Sequence, residues 1–251
     1  MKFSIALLLL LCSSVGTAKE LLMVSSEYAP YVMQDEQGNV TGLMPDLIHA
    51  ALPNFESQIS FQLVPWKRAE SLVEQGKAFA AFPYSKNDDR SKRFHFSEPV
   101  LDFQPGLFYR KANFPEGFNW GSIGQLRQYR IASVTGYAPN QVFAKHQVPT
   151  IIVSNELAAL TMIYGNRADF FLLDNRAAWH LIRTHFQRNQ DDFASATNAS
   201  INGRYYLMVS RVQPENLALL NKFNNGMRQL KESGQYQAIL QRYQEPRGIS
   251  D

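Results

Sequence analysis

The chain has 251 residues, of which 45% are hydrophobic and 19% charged; 25 Lys plus Arg against 22 Asp plus Glu give a formal net charge of +3. This composition excludes collagen-like and disordered classes, and the length suits one large domain or two medium ones. The basic residues are scattered in pairs such as Lys67-Arg68 and Lys92-Arg93, without the concentrated basic face that nucleic-acid binding requires.

In chain order, Lys2, the apolar run 5–11 and the small residues Gly16-Thr17-Ala18 read as a secretory signal peptide over residues 1–18, cleaved after Ala18. The run is too short to span a bilayer, and no later apolar stretch reaches the ~18 residues needed. Cys12 is the only cysteine and is removed with this segment. It ends a Leu run without the small residues that precede a lipid-acceptor cysteine, so a lipid anchor is set aside. A thiol-free exported chain has no disulfide framework and no Cys-based metal site or nucleophile, which points to a bacterial periplasm.

The following pattern alternates strand and helix. Leu21–Ser25 reads as a strand, and 35–39 (Asp-Glu-Gln-Gly-Asn) as a turn between extended pieces. A helix opens at Pro45, with Leu43, Leu47, Ile48, Ala51 and Leu52 on one face. Residues 59–64 alternate as a strand, Ala69, Leu72 and Val73 mark a helix capped by Gly76, and 78–82 read as a buried strand. This order predicts a parallel sheet covered by helices.

A second run of the same pattern begins near Tyr129: a strand at 130–134, a helix from Pro139, a strand at Thr150–Val153, a helix carrying Leu157, Leu160 and Tyr164, a strand at 168–173, and a helix with Ala178, Leu181, Ile182, His185 and Phe186. Extended segments at 100–110 and 204–209 carry the chain to the second unit and back. Pro214 opens a helix striped with Leu217, Leu220, Phe223, Met227 and Leu230, and a last helix holds Tyr236, Ile239, Leu240 and Tyr243. The reading is α/β, in two lobes.

No nucleophile elbow, Walker loop, dinucleotide fingerprint, zincin helix or calcium loop is present. His180 and His185 lie five apart and do not form an i, i+4 metal pair. No cofactor and no metal are expected.

The stretch Ala80-Ala81-Phe82-Pro83-Tyr84-Ser85-Lys86-Asn87-Asp88-Asp89-Arg90, followed by Phe96-Ser97-Glu98-Pro99, is specific. Upstream stand Tyr28-Ala29-Pro30-Tyr31, Gly42-Leu43-Met44-Pro45-Asp46-Leu47 and Glu74-Gln75-Gly76-Lys77; downstream stands Arg167-Ala168-Asp169-Phe170-Phe171-Leu172-Leu173-Asp174. Their joint order and spacing resemble the extracellular solute-binding proteins of family 3, periplasmic amino-acid receptors of ABC transporters. The resemblance implies a two-lobed periplasmic-binding-protein type II fold, a ligand cleft between the lobes and a two-strand hinge. Lobe 1 is then 19–104 with 206–251, and lobe 2 is 105–205.

The resemblance also assigns candidate ligand residues. Arg90 matches the arginine that grips a ligand carboxylate, which suits a guanidinium fork; the bland alternative is a surface ion pair with Asp88 or Asp89. Ser85 matches a ligand-binding turn, or simply forms the turn. Pro83 stands where relatives often have glycine and offers only a carbonyl. Asp174 matches the carboxylate that pairs with a ligand ammonium, and also suits an N-cap. Tyr28 and Trp66 match the two aromatics that sandwich a ligand side chain, or else pack in the core. Tyr84 and Arg68 lie nearby and are candidates for tuning ligand choice.

The turn Thr135-Gly136-Tyr137-Ala138 matches one that presents backbone N–H groups at a helix start, but Tyr137-Ala138-Pro139 replaces its usual hydroxyl- or glycine-rich form. Tyr137 is expected to narrow the cleft or select a different ligand. Asp46 and Asp169 are read as braces outside the site.

The expected function is capture of a polar amino acid or similar small carboxylate by cleft closure, as a monomer, for delivery to an ABC permease. The alternatives are a dehydratase-like enzyme on the same scaffold, using Glu27 or Asp174 as acid or base, and a stand-alone sensory module.

Overall fold

The computed structural model describes residues 20–198 and 201–243. The signal-peptide reading of 1–18 therefore lies outside the described residues. Lobe 1 opens with β1 (Leu21–Ser25), a small hairpin of β2 (Met33–Gln34) and β3 (Val40–Thr41), then α1 (Leu43–Ala51), β4 (Ile59–Leu63), α2 (Trp66–Glu74), β5 (Ala80–Tyr84), α3 (Asp88–Arg93), β6 (His95–Phe96) and β7 (Leu101–Phe103). The chain then crosses to lobe 2: β8 (Pro105–Arg110), β9 (Ile131–Val134), α4 (Pro139–Lys145), β10 (Thr150–Val153), α5 (Glu156–Tyr164), β11 (Phe170–Asp174), α6 (Asn175–His185) and β12 (Phe193–Thr197). It returns through β13 (Gly203–Val209) and ends in α7 (Glu215–Glu232) and α8 (Gln235–Arg242).

The sheet of lobe 1 has the order β4-β1-β5-β13-β6, with β7 also on β13; that of lobe 2 has β10-β9-β11-β8-β12. The three β/α strands of each lobe run parallel, as expected. The sheets are nevertheless mixed, which corrects the expectation of parallel ones. The two crossing segments do not stay outside the lobes. Each inserts as an antiparallel strand beside the last parallel one, β8 on β11 and β13 on β5. At the crossing, Gly203 pairs with Phe103 and Thr197 with Gly106. The Gln104 side chain donates to Asn198 O (3.2 Å) and Ile201 O (2.9 Å), tying the outgoing segment to the returning one.

Pro83 sits inside β5 although proline cannot donate to a ladder. A bulge accommodates it: Tyr206 faces Tyr84 and Met208 faces Ala81, so two residues, Phe82 and Pro83, oppose the single Leu207. The Leu207 N–H turns instead to Ser97 Oγ (3.0 Å), whose hydroxyl donates to Glu98 O.

The elements α3 and β12 were not expected. α3 has the sequence Asp-Asp-Arg-Ser-Lys-Arg and buries only Arg90; it is started by Asn87, whose side chain accepts from Arg90 N. β12 is a five-residue strand beside β8. Asp46 and Asp169 act as braces, as read: Asp46 accepts from Tyr243 OH (2.8 Å) and pairs with Arg242, and Asp169 pairs with Arg130. Among the described residues no helix is long and apolar enough to cross a membrane.

Candidate functional site

A cavity of about 200 Å³ lies at the seam between the lobes. One water needs about 10–15 Å³ of such space, so the cavity is large enough for a small organic solute. Nine candidate residues line it: Tyr28, Trp66, Pro83, Tyr84, Ser85 and Arg90 from lobe 1, and Gly136, Tyr137 and Asp174 from lobe 2. Arg68 does not. It is exposed on α2, whose inward face is formed by Trp66, Ala69, Glu70, Leu72 and Val73. Glu27 is exposed as well and is absent from the wall, which removes one of the two carboxyls considered for catalysis.

Arg90 is 5% exposed and heavily committed. Nε (3.2 Å) and Nη2 (3.1 Å) donate to Glu70 Oε2, Nη1 to Ser85 O (3.1 Å) and Nη2 to Gly136 O (2.6 Å). Its guanidinium lies 4.7 Å from the Tyr84 ring centroid. The ion pair with Asp88 or Asp89 is not formed. Arg90 faces inward to the buried Glu70, while Asp89 pairs with Arg93. Glu70 also receives Arg93 (2.5 Å) and Lys67 (3.6 Å). Burial pushes its carboxyl up, but Arg93, Arg90 and Lys67 together hold it below the usual carboxylate range.

Asp174 ends β11 and begins α6, and both readings of it meet in one side chain. Oδ1 caps the helix, accepting from the N–H groups of Arg176 (2.7 Å) and Ala177 (3.1 Å). Oδ2 accepts from Tyr31 OH (2.8 Å) and Tyr205 OH (3.3 Å), and Tyr205 OH bonds Tyr28 OH (2.8 Å). Burial pushes the Asp174 pKa up, against the lowering effect of these donors.

The aromatic pair differs from the expected sandwich. Tyr28 and Trp66 meet edge to face, with centroids 5.5 Å apart, so they form a corner of the wall and not two parallel plates. Tyr84 fixes Trp66 from behind by donating to its backbone carbonyl (2.5 Å). Gly136 has φ +86°, and a Cβ there would lie 3.3 Å from Lys67 N, so this turn needs glycine both for its backbone and for close approach to lobe 1.

Sequence reasoning missed Glu156. It is 5% exposed at the start of α5. Oε1 accepts from Trp66 Nε1 (2.9 Å) of lobe 1 and from Tyr137 OH (2.5 Å) of its own lobe. Burial raises its pKa, partly opposed by these two bonds, and Glu27 adds to the rise. A signal existed: α5 reads Glu-Leu-Ala-Ala-Leu-Thr-Met-Ile-Tyr, apolar on every side, and such a helix is buried with its first residue. Tyr31, Tyr205 and Glu70 were missed too.

Hydrogen bonds thus cross the seam from donors of lobe 1 to acceptors of lobe 2: Arg90 to Gly136 O, Trp66 to Glu156 and Tyr31 to Asp174. The geometry is that of a closed cleft. Among the described residues no cluster of three or more His, Cys, Asp or Glu is placed to hold a metal.

Known proteins share this architecture. The arginine-binding periplasmic protein of Mannheimia haemolytica is 19% identical over 247 residues, spanning 97% of this chain and 98% of its own. A solved ancestral arginine-binding protein bound to arginine superposes with a TM-score of 0.76 at 19% identity, covering 91% of this chain and 99% of its own. A histidine kinase sensor domain similar to periplasmic binding proteins gives a TM-score of 0.78 at 18% identity, covering 89% and 95%. The sequence model of the bacterial extracellular solute-binding proteins, family 3, matches residues 21–246, and the chain belongs to that family.

Proposed function

We propose that this chain is a periplasmic receptor that captures a small amino-acid-type solute between its lobes and presents it to the membrane permease of an ABC transporter. The observation that carries this reading is the seam cavity, walled from both lobes and closed by side-chain bonds that break when the lobes part. The moving bodies are 19–104 with 206–251, and 105–205; the pairing of β13 with β5 supports the return of the chain to lobe 1 near this boundary. Export follows the signal peptide ending at Ala18, and the protein works as a monomer.

In this reading Asp174 faces the solute's ammonium, while Ser85 and Arg90 face its polar end. Tyr28, Trp66, Tyr84, Tyr137, Pro83 and Gly136 supply the wall. Binding is favoured over catalysis because Asp174, the carboxyl in the wall, has both oxygens engaged by fixed donors. The test is a thermal-shift screen over amino acids, amines and organic acids. A ligand at a hundred times its Kd adds about 2.7 kcal/mol, or roughly 5–10 °C for a chain of this size. Stabilisation by none of them, or conversion of the bound compound to product, would overturn the reading.

A further inference from the structure

The charges around the cavity are unevenly compensated. On the lobe 1 side, Arg90 and Glu70 neutralise each other, with Arg93 and Lys67 behind them. On the lobe 2 side, Asp174 and Glu156 are buried, and among the described residues neither has a cation within ion-pairing distance. Their partners are hydroxyls, an indole and backbone N–H groups. Arg176, next but one to Asp174, does not answer it: it gives its backbone N–H and lays its guanidinium 5.9 Å from the Tyr31 ring centroid.

These carboxyls also act on the aromatic wall. Trp66 and Tyr137 both donate to Glu156, and Tyr205, bonded to Tyr28, donates to Asp174. All four rings line the cavity. Donation from a ring N–H or O–H to an anion moves electron density into the ring, and electron-rich faces attract cations. A carboxylate, in contrast, meets little grip. Four of the five Arg90 donors are spent on Glu70, Ser85 O and Gly136 O, leaving one Nη1 hydrogen beside neutral groups such as the Ser85 hydroxyl and the Asn202 amide.

Resting on the reading that this cavity is the solute site, we infer that it selects for positive charge without requiring a carboxylate. The solutes it takes best are organic amines or guanidines that lack the α-carboxylate of an amino acid. The cation lies against the Trp66, Tyr137, Tyr28 and Tyr205 rings, with Asp174 and Glu156 supplying the countercharge. A carboxylate on the same solute would be a third anion, desolvated for a single charged donor.

The test is calorimetric titration of the mature protein with matched pairs: agmatine against arginine, cadaverine against lysine, and phenethylamine against phenylalanine. Each amine is expected to bind at least about tenfold tighter than its amino acid, a difference of 1.4 kcal/mol. Asp174→Asn and Glu156→Gln should each weaken the amines about tenfold or more and weaken zwitterionic phenylalanine less, because its carboxylate is relieved of a neighbouring anion while its ammonium loses one. Tyr137→Phe, which keeps the ring and removes only its bond to Glu156, should weaken the amines in the same direction. This variant also guards against loss of fold in the carboxyl variants.

Acidity gives a separate readout. Burial pushes both carboxyls up, with Tyr31, Tyr205 and Tyr28 around Asp174, and Tyr137 and Glu27 facing Glu156. A cation binds their ionised forms, so amine affinity should fall as pH falls through their range, and fall less in the two carboxyl variants. Amino acids binding tighter than their amines would overturn this inference and leave the receptor reading intact. Binding of neither set would overturn both.

Discussion

Glu70→Gln separates the two tasks that Arg90 combines. Glutamine keeps the shape and one acceptor oxygen but removes the charge that takes both Arg90 Nε and Nη2. The pair is buried, with side-chain exposures of 6% and 5%. Breaking a buried pair by removing one partner costs about 3–5 kcal/mol. Two features place this case near the lower end. The amide oxygen still accepts one bond, and Arg90 keeps Ser85 O and Gly136 O. Arg93 is not stranded, because Glu74 and Asp89 remain, and Lys67 is already two-thirds exposed. A loss of about 3 kcal/mol lowers Tm by roughly 6–12 °C for a chain of this length. The sign with pH follows from the depressed Glu70 pKa. Its contribution is fully present above the unfolded carboxylate pKa of about 4.3 and is lost as pH falls through the lower folded value, so the two melting curves converge on acidification. The variant also frees one of these two Arg90 donors for a carboxylate. Arginine should therefore stabilise Glu70→Gln more than it stabilises the wild type. Differential scanning fluorimetry with and without arginine measures both effects. Equal melting temperatures at neutral pH, within a degree, would refute the buried pair; a lower Tm without the gain in arginine response would refute the claim that Glu70 withholds Arg90.

Trp66→Phe removes the indole N–H that reaches Glu156 across the seam; a bond to a charged acceptor is worth about 1.5–3 kcal/mol, so the closed-to-open ratio should fall about tenfold or more and the radius of gyration by small-angle scattering should rise. Gly136→Ala forces a Cβ to φ +86° against Lys67, costing about 1–2 kcal/mol from the backbone alone, and should lower both Tm and solute affinity. Asp174→Asn retains a good N-cap for α6, so its Tm should stay near wild type by calorimetry while amine binding drops. Intact-mass measurement of exported protein should show a chain beginning at Lys19; retention of Met1 would remove the export reading.

Much of the fold was legible because the parallel strands are apolar or β-branched whether central, as in the fully buried Ala80–Tyr84, or at an edge, as in the half-exposed Thr150–Val153. Thr150–Val153 and Leu21–Ser25 stand out as short β-branched or apolar runs with the strand limits observed. The antiparallel strand that completes each sheet was not legible as such. An extended segment such as 100–110 has the same local preference whether it bridges the lobes or inserts beside a strand. The choice is made by the open edges of β5 and β11, which are long-range features. α3 was silent for another reason: six polar residues have no apolar period, and the element exists to turn Arg90 inward from an Asn87 cap.

The site divides along the same line. Residues that a local motif can carry, such as Ser85 and Arg90 after β5 or Asp174 at a strand-to-helix junction, were placed on the cavity. Those that give the cavity its charge were not. Glu70 on α2 reads as an ordinary charged helix residue until Arg90, twenty positions later in another element, is folded against it. Glu156 likewise becomes an acceptor for Trp66 only when the lobes meet, ninety residues apart in sequence. An arginine in a motif position thus marks where the proposed solute would sit but not which charge it carries. That depends on what already occupies the guanidinium, and here a buried glutamate holds it, while Asp174 lines the cavity and Glu156 stands behind its Trp66 and Tyr137 rings, neither with a cation of its own among the described residues.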